Sequence, residues 1–157
     1  MDSKSVLEQV RSGAMSVEEA ERFFQHKAYE DLGYAKLDTY REIRSGFSEV
    51  IYCSNKPDEF LVSIYQRLFA EHGEVYGTRA SAEQYELVRK VLPQIQYDAV
   101  ARTLKYERPD KQRVGCVAVC TAGTADIPVA EEAAQTAEFF GAQVVRVYDV
   151  GVSGIHR

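Results

Sequence analysis

Apolar positions recur at helical spacing at the start of the chain, at Val6, Leu7 and Val10 and again at Ala20, Phe23 and Phe24. Each set falls on one face of a helix, so residues 1–28 read as a helical hairpin whose two faces meet across the turn. Ser5 with Glu8, and Ser16 with Glu19, have the capping-box spacing that satisfies the free N–H groups of a helix start. Gly13 supplies a left-handed stop between them, and Met15 is placed to staple against Ala20. Two helices this short cannot stand alone and must pack on their own subunit or on a neighbour.

The periodicity fades over residues 29–47, where Asp38, Arg41, Glu42 and Arg44 are interleaved with Tyr29, Tyr34 and Tyr40. The segment reads either as a solvated connector or as a loop presenting Arg41 or Arg44 to an anion, because a guanidinium fork matches phosphate oxygens. An alternating pattern follows. Residues 49–53 read as a strand. Pro57 opens a helix with Phe60, Leu61, Ile64, Tyr65, Leu68 and Phe69 on one side, and Gly73 ends it. A second strand is expected over residues 74–78. Ser81 and Gln84 cap a second helix with Tyr85, Val88 and Leu92 inward, Pro93 stops it, and one more strand is expected within residues 97–106. This predicts a small βαβαβ unit over residues 29–108.

The polar stretch of residues 106–113, broken by Pro109, reads as a linker. Beyond it, Val114-Gly-Cys-Val-Ala-Val-Cys120 is a continuous apolar run, the pattern of a parallel strand covered on both faces. A loop of small residues leads to a helix over residues 127–140. There Ala130, Ala133, Ala134 and Ala137 permit close packing on a sheet. Gly141 ends the helix and a second strand returns over residues 144–148. Residues 109–157 therefore hold one βαβ unit, and two strands do not make a stable doubly wound sheet. The expectation is an incomplete α/β domain with an open sheet edge after its second strand.

Composition narrows the function classes. A chain of 157 residues with 45% hydrophobic content can build a real core. A formal net charge of −5 argues against general nucleic-acid binding. No apolar run approaches the ~18 residues that span a bilayer, and the N-terminus lacks the basic and apolar regions of a signal peptide, so a cytoplasmic location is expected. Cys53, Cys116 and Cys120 form no C-x-x-C pair and suit a reducing compartment. Cys116 and Cys120 are read as small buried residues on one strand face, and nothing around them makes a metal site.

In a parallel α/β sheet ligands bind outside the carboxyl ends of the strands, where two loops fall. In the first, residues 121–128, Gly123 lets backbone N–H groups approach an anion, Thr121 and Thr124 offer hydroxyls, and a helix N-terminus adds positive potential. Asp126 either caps that helix or accepts from a sugar hydroxyl. The second, residues 149–157, ends in His156, suited to proton transfer near neutral pH, and Arg157, suited to clamping phosphate. His26 and His72 read as surface groups near helix ends.

The run TAGTADIPVAEEAAQTAEFFGAQVVRVYDVGVSGIHR, with LDTYREIRSGFSEVIYC upstream and the TRAS beginning at Thr78, resembles the nickel-pincer cofactor biosynthesis carboxylases, the LarB family. More distantly, Thr124-Ala125-Asp126 and Ile155-His156-Arg157 are similar to the S-x-S-D and A-H-R motifs of the aminoimidazole ribonucleotide carboxylases (PurE). The resemblance implies a flavodoxin-like carboxylase domain whose first βαβ is present here. It also implies carboxylation of the pyridinium ring of nicotinic acid adenine dinucleotide by CO2 or bicarbonate, with hydrolysis of the phosphoanhydride to release AMP. The resemblance assigns catalysis to His156 and substrate binding to the loop residues and Arg157; Arg41 and Arg44 are added as candidates for the adenylate or pyrophosphate on guanidinium chemistry alone. It implies no tightly bound cofactor, leaves open whether Mg2+ takes part, and implies a homo-oligomer, typically an octamer. The family activates its ring by adding a cysteine thiolate. That cysteine lies in a later part of the domain, none of the three cysteines here matches it, and the chain alone is expected not to turn over. Tyr40 and Ser48 stand where the family pattern has His and Pro. Two other readings are a relative of the imidazole-ribonucleotide enzymes and a non-catalytic nucleotide-binding or assembly module.

Overall fold

The computed structural model describes residues 3–24, 30–31, 33–34, 36–38, 41 and 47–152. It is mixed α/β and divides into two compact units, Met1–Glu49 and Val50–Arg157. In the first unit, helices α1 (Ser3–Ser12) and α2 (Val17–Phe24) form the expected hairpin, and two short antiparallel strands follow, β1 (Glu30–Asp31) and β2 (Lys36–Leu37). Ser16 and Glu19 form the predicted capping box, each side chain accepting from the other's backbone N–H at 3.1 and 2.8 Å. Ser5 does not cap: α1 already includes Ser3 and Lys4, so Ser5 sits in helical backbone. Val6 and Ala20 are the buried residues of the pair, while Leu7 and Val17 remain largely exposed.

The second unit begins with a four-stranded sheet in the order β3–β4–β6–β5. Strand β3 (Val50–Tyr52) runs parallel to β4 (Val75–Thr78), connected through α3 (Asp58–His72). Gly73 closes α3 in the left-handed region, φ 69°, its N–H donating to Phe69 O at 2.8 Å. The stripe read from sequence is the core of this layer: Leu61, Ile64, Tyr65 and Leu68 are buried. Helix α4 (Ala82–Arg89) starts on the Ser81–Gln84 capping box, buries Val88, and stacks Tyr85 on Tyr97 at 5.5 Å.

The single strand expected within residues 97–106 is two antiparallel strands, β5 (Gln96–Asp98) and β6 (Thr103–Tyr106). The reversal has a local cause. The Asp98 carboxylate accepts the N–H groups of Val100 and Ala101 at 2.9 and 2.8 Å, and Arg102 adopts φ 54°. A short polar side chain that bonds the backbone ahead of it folds the chain back, a signal hydrophobic periodicity does not carry. The expected βαβαβ is therefore a βαβ followed by an α-helix and a hairpin.

One glycine is fixed by close approach. A Cβ on Gly77 of β4 would overlap the Tyr65 hydroxyl and lie 2.8 Å from Cys53 Sγ. Tyr65 is fully buried with its hydroxyl donating to Leu104 O at 3.0 Å, and Cys53 Sγ lies 3.4 Å from that hydroxyl oxygen. Burial, reinforced by the Cys53 thiol, holds Tyr65 well above the usual phenol range, so it stays a donor.

Strands β7 (Val114–Cys120) and β8 (Ala142–Val147) pair in parallel, joined through a 3₁₀ turn (Thr124–Asp126) and helix α5 (Ile127–Phe139). This is the predicted βαβ unit, the arrangement of a flavodoxin-like sheet. Register shifts between Val114 and Val117, at the bulge that holds Gly115 at φ 68°. Arg146 reaches Glu131 and Glu138 of α5. The in-register pairs Val117–Val144 and Val119–Arg146 therefore face the helix, and Ala118 and Cys120 face away. Contrary to the expectation of burial, Cys116 and Cys120 are exposed. The apolar run of β7 anticipates a sheet covered on both faces, whereas among the described residues α5 covers one.

Helix α5 also packs against the first sheet. Tyr76 of β4 stacks on Phe139 at 4.8 Å and its hydroxyl pairs with Thr136 Oγ1 at 2.9 Å. Burial raises the Tyr76 pKa to about 12, with Thr136 opposing it. Arg79 pairs with Glu132 at 2.9 Å. The buried Gln135 amide accepts from Thr103 at 2.6 Å and donates to Asp98 at 2.8 Å. The segment read as a linker is held too: Glu74 binds Lys111 at 2.6 Å, and Lys111 lies 4.0 Å from the Phe139 ring centre.

Gly77→Ala is expected to destabilise the chain by about 1–3 kcal/mol, the range for forcing atoms into a packed core. The cost should shrink in a Tyr65→Phe background, where one overlapping atom is gone. Equilibrium denaturation of the two single variants and the double variant checks this; strict additivity would show that the Gly77–Tyr65 contact is not the cause.

Candidate functional site

The carboxyl ends of β7 and β8 lie side by side, so the loops that follow them meet. Thr121 holds the junction. Its N–H donates to Val147 O at 3.1 Å, its carbonyl accepts from Val150 N–H at 2.9 Å, and its hydroxyl accepts from Asp149 N–H at 3.0 Å. The residue is 5% exposed. Its hydroxyl, read from sequence as a group for a ligand, is in this structure the acceptor that fixes the second loop. Asp149 occupies the left-handed region at φ 58°, which Asp tolerates better than most side chains, and the bond from its N–H fixes it there. Gly151 is pressed against the Ala122 backbone so closely that a Cβ would collide with the Ala122 carbonyl oxygen.

On the outer side of this lacing the first loop is open. Gly123 has extended backbone, and a Cβ there would meet nothing within 4 Å. Thr124 and Asp126 are exposed. Asp126 occupies the N-cap position of α5 without a side-chain capping bond, and its own N–H donates to Gly123 O at 3.3 Å. Of the two roles foreseen for Asp126, helix capping is therefore not the one its side chain performs. Thr124 and Asp126 offer a hydroxyl and a carboxylate with no hydrogen bond recorded among the described residues, beside the positive end of a 13-residue helix.

The structure thus brings together Thr121, Gly123, Thr124 and Asp126. Arg41 belongs to the other compact unit, where it is exposed and its N–H donates to Asp38 O at 3.2 Å. His156, Arg157 and Arg44 lie outside the described residues. Sequence reading missed the contributions of Asp149 and Gly151. No local sequence signal marks Gly151, because what requires it is the approach of the Ala122 carbonyl from the other loop.

The thiols separate by environment. Cys53 is fully buried, and desolvation pushes its thiol up, only partly opposed by the Tyr65 hydroxyl and Lys56. A protonated, enclosed thiol is a poor nucleophile. Cys116 and Cys120 lie open on β7, Cys120 next to Thr121. No group of three or more His, Cys, Asp or Glu residues that could hold a metal occurs among the described residues, and no helix described is long and apolar enough to cross a membrane.

Two outcomes follow. A disulfide-exchange thiol reagent should titrate Cys116 and Cys120 rapidly in the native chain and Cys53 only after denaturation; fast reaction of all three would contradict the burial of Cys53. Thr121→Val should cost about 1–3 kcal/mol by leaving the Asp149 N–H without its acceptor. Amide exchange should then accelerate at Asp149 and Val150, while α3 and α4 stay protected.

A family model described as the LarB/PurE-like N-terminal domain matches residues 29–108. The chain is also similar to Uncharacterized protein MJ0165 of Methanocaldococcus jannaschii, with 32% identity over 167 residues covering 98% of this chain and 63% of that protein. It therefore spans somewhat under two thirds of the relative's length. With just over half of its residues matched by the family model, the chain belongs to the LarB/PurE-like family.

Proposed function

We propose that this chain carries the substrate grip of a pyridinium-ring carboxylase, with the loops after β7 and β8 holding nicotinic acid adenine dinucleotide. Family membership supports a carboxylase- or mutase-type relative. The observation that carries the finer reading is the laced loop pair. Thr121 and Gly151 are used up in holding the two loops together, and Thr124 and Asp126 are left exposed at the start of α5. In this reading the backbone around Gly123 and the helix N-terminus receive a phosphate, Thr124 donates to a phosphate oxygen, and Asp126 accepts from a ribose hydroxyl.

His156 and Arg157, which follow later in the sequence, take the roles of proton transfer and phosphate clamp in this reading. Arg41 and Arg44 are candidates for the adenylate or pyrophosphate. CO2 or bicarbonate is the co-substrate. A carbon nucleophile on an electron-poor ring requires prior addition of a thiolate, which leaves again once the ring proton is removed. Cys53 is excluded from that role by its burial, and no cysteine of this chain is assigned it. A cytoplasmic homo-oligomer, an octamer by resemblance, belongs to the same proposal.

Titration calorimetry of the 157-residue chain with nicotinic acid adenine dinucleotide tests it. Binding should be saturable, and Asp126→Ala should weaken it about tenfold, roughly 1.4 kcal/mol. The same variant should leave the denaturation midpoint nearly unchanged, since no capping bond is lost. Binding of an imidazole ribonucleotide in place of the dinucleotide would move the assignment to the mutase branch. Binding of neither would leave a module that grips no nucleotide.

A further inference from the structure

A second polar cleft, of about 260 Å³, lies between the β5–β6 hairpin and the α5/β8 side of the unit, and it shares no residue with the loops after β7 and β8. Most charged and polar groups in its wall are already engaged. Glu138 holds Arg146 through two bonds of 2.6 and 2.9 Å, and Arg146 also binds Glu131. Asp98 is occupied by two backbone N–H groups and by the Gln135 amide, and Thr103 donates to the same Gln135. Burial disfavours the Asp98 carboxylate, yet the donors from Ala101, Gln135 and Val100 outweigh it and hold its pKa below the usual value.

Lys105 and Gln96 are exceptions, and Lys105 is the charged one. It lines the cleft from β6, is partly buried, and its ammonium has no hydrogen bond or ion pair among the described residues. Desolvation lowers its pKa, against the fields of Glu107, Glu138 and Asp98, with Arg113 adding to the lowering. A desolvated ammonium without a direct partner gains free energy by meeting an anion. Gln96 stands directly opposite Lys105 in the β5–β6 register, lines the same cleft, and its side-chain amide likewise has no hydrogen-bond partner among the described residues. An ammonium and an amide N–H across one strand pair can hold the two oxygens of a single carboxylate.

The geometry points to a binding site for a small carboxylate monoanion in this cleft, held by Lys105 and Gln96. Three observations set the ligand class. The wall is mostly polar and ionic, Tyr97 aside, which favours a charged ligand over an apolar one. The volume lies below the range that accommodates drug-sized molecules, so the ligand is small. Asp98 and Glu138 face the same space, so a second negative charge on the ligand would be repelled. Acetate, formate and hydrogencarbonate fit all three; the phosphate dianion fails the last.

The test uses the 157-residue chain labelled with 13C at lysine Cε. Acetate and formate are titrated against it at constant ionic strength, with phosphate at pH 8 in parallel. The Lys105 signal should move saturably with acetate and formate, and phosphate should bind at least about tenfold more weakly. Lys105→Gln should abolish saturable acetate binding, and Gln96→Ala should weaken it, while affinity for nicotinic acid adenine dinucleotide is unchanged in both. A linear drift shared by all lysines would overturn the site. So would unaltered acetate binding in a folded Lys105→Gln chain. Tighter binding of phosphate than of acetate would overturn the ligand class. The wild-type signal decides the matter even if a variant does not fold.

Discussion

Gln135 is the small point on which the second unit turns. It is buried, and both ends of its amide are committed, one accepting from Thr103 and the other donating to Asp98. A buried amide with either end unmet would cost more than an apolar residue in its place, so the three side chains stand or fall as a set. Around this set α5 is clasped on two sides. Phe139 and Thr136 meet Tyr76 of the first sheet, and Glu131 and Glu138 hold Arg146 of β8. The helix is therefore a shared layer, and the segment between Tyr106 and Val114 is tied down by Glu74 and Phe139 instead of running free.

That clasp has a consequence for the candidate site. The N-terminus of α5 is where Thr124 and Asp126 are displayed, so whatever fixes α5 also fixes them relative to the strand ends. The remaining freedom is in the loops, and Thr121 removes it with three hydrogen bonds, two through its backbone and one through its hydroxyl. Positioning groups and presenting groups are thus different residues of one short segment. Such a division gives rigidity at the display without using up the displayed atoms.

Much of the architecture was legible because burial imposes a period. The stripe of Leu61, Ile64, Tyr65 and Leu68, the Ser81–Gln84 and Ser16–Glu19 caps, and the βαβ of β7, α5 and β8 all follow from spacing alone. What periodicity could not supply was decided by side chain to backbone bonds and by missing neighbours. Asp98 turns one expected strand into a hairpin through two N–H groups. The apolar run of β7 expects cover on two faces, and the described residues supply it on one, leaving Cys116 and Cys120 open. In the site, Thr121 and Thr124 are the same residue type three positions apart. Only the backbone path distinguishes the hydroxyl that takes the Asp149 N–H from the one left facing outward.

The two glycines that matter show the same limit from the other side. Gly77 and Gly151 have no unusual φ to betray them; each is required because another group comes close, the Tyr65 hydroxyl in one case and the Ala122 carbonyl in the other. A sequence marks turn glycines by their flanking residues, but it carries no local mark for a glycine needed by a partner beyond its own turn. Gly77 lets a buried tyrosine reach Leu104 O beneath the sheet, and Gly151 lets the second loop lie flat on the first. The first secures the layer that α5 packs on, and the second holds the loop after β8 against Ala122 at the start of the loop that carries Thr124 and Asp126. Close approach at a residue without a side chain is therefore the means by which this fold joins its core to its candidate site.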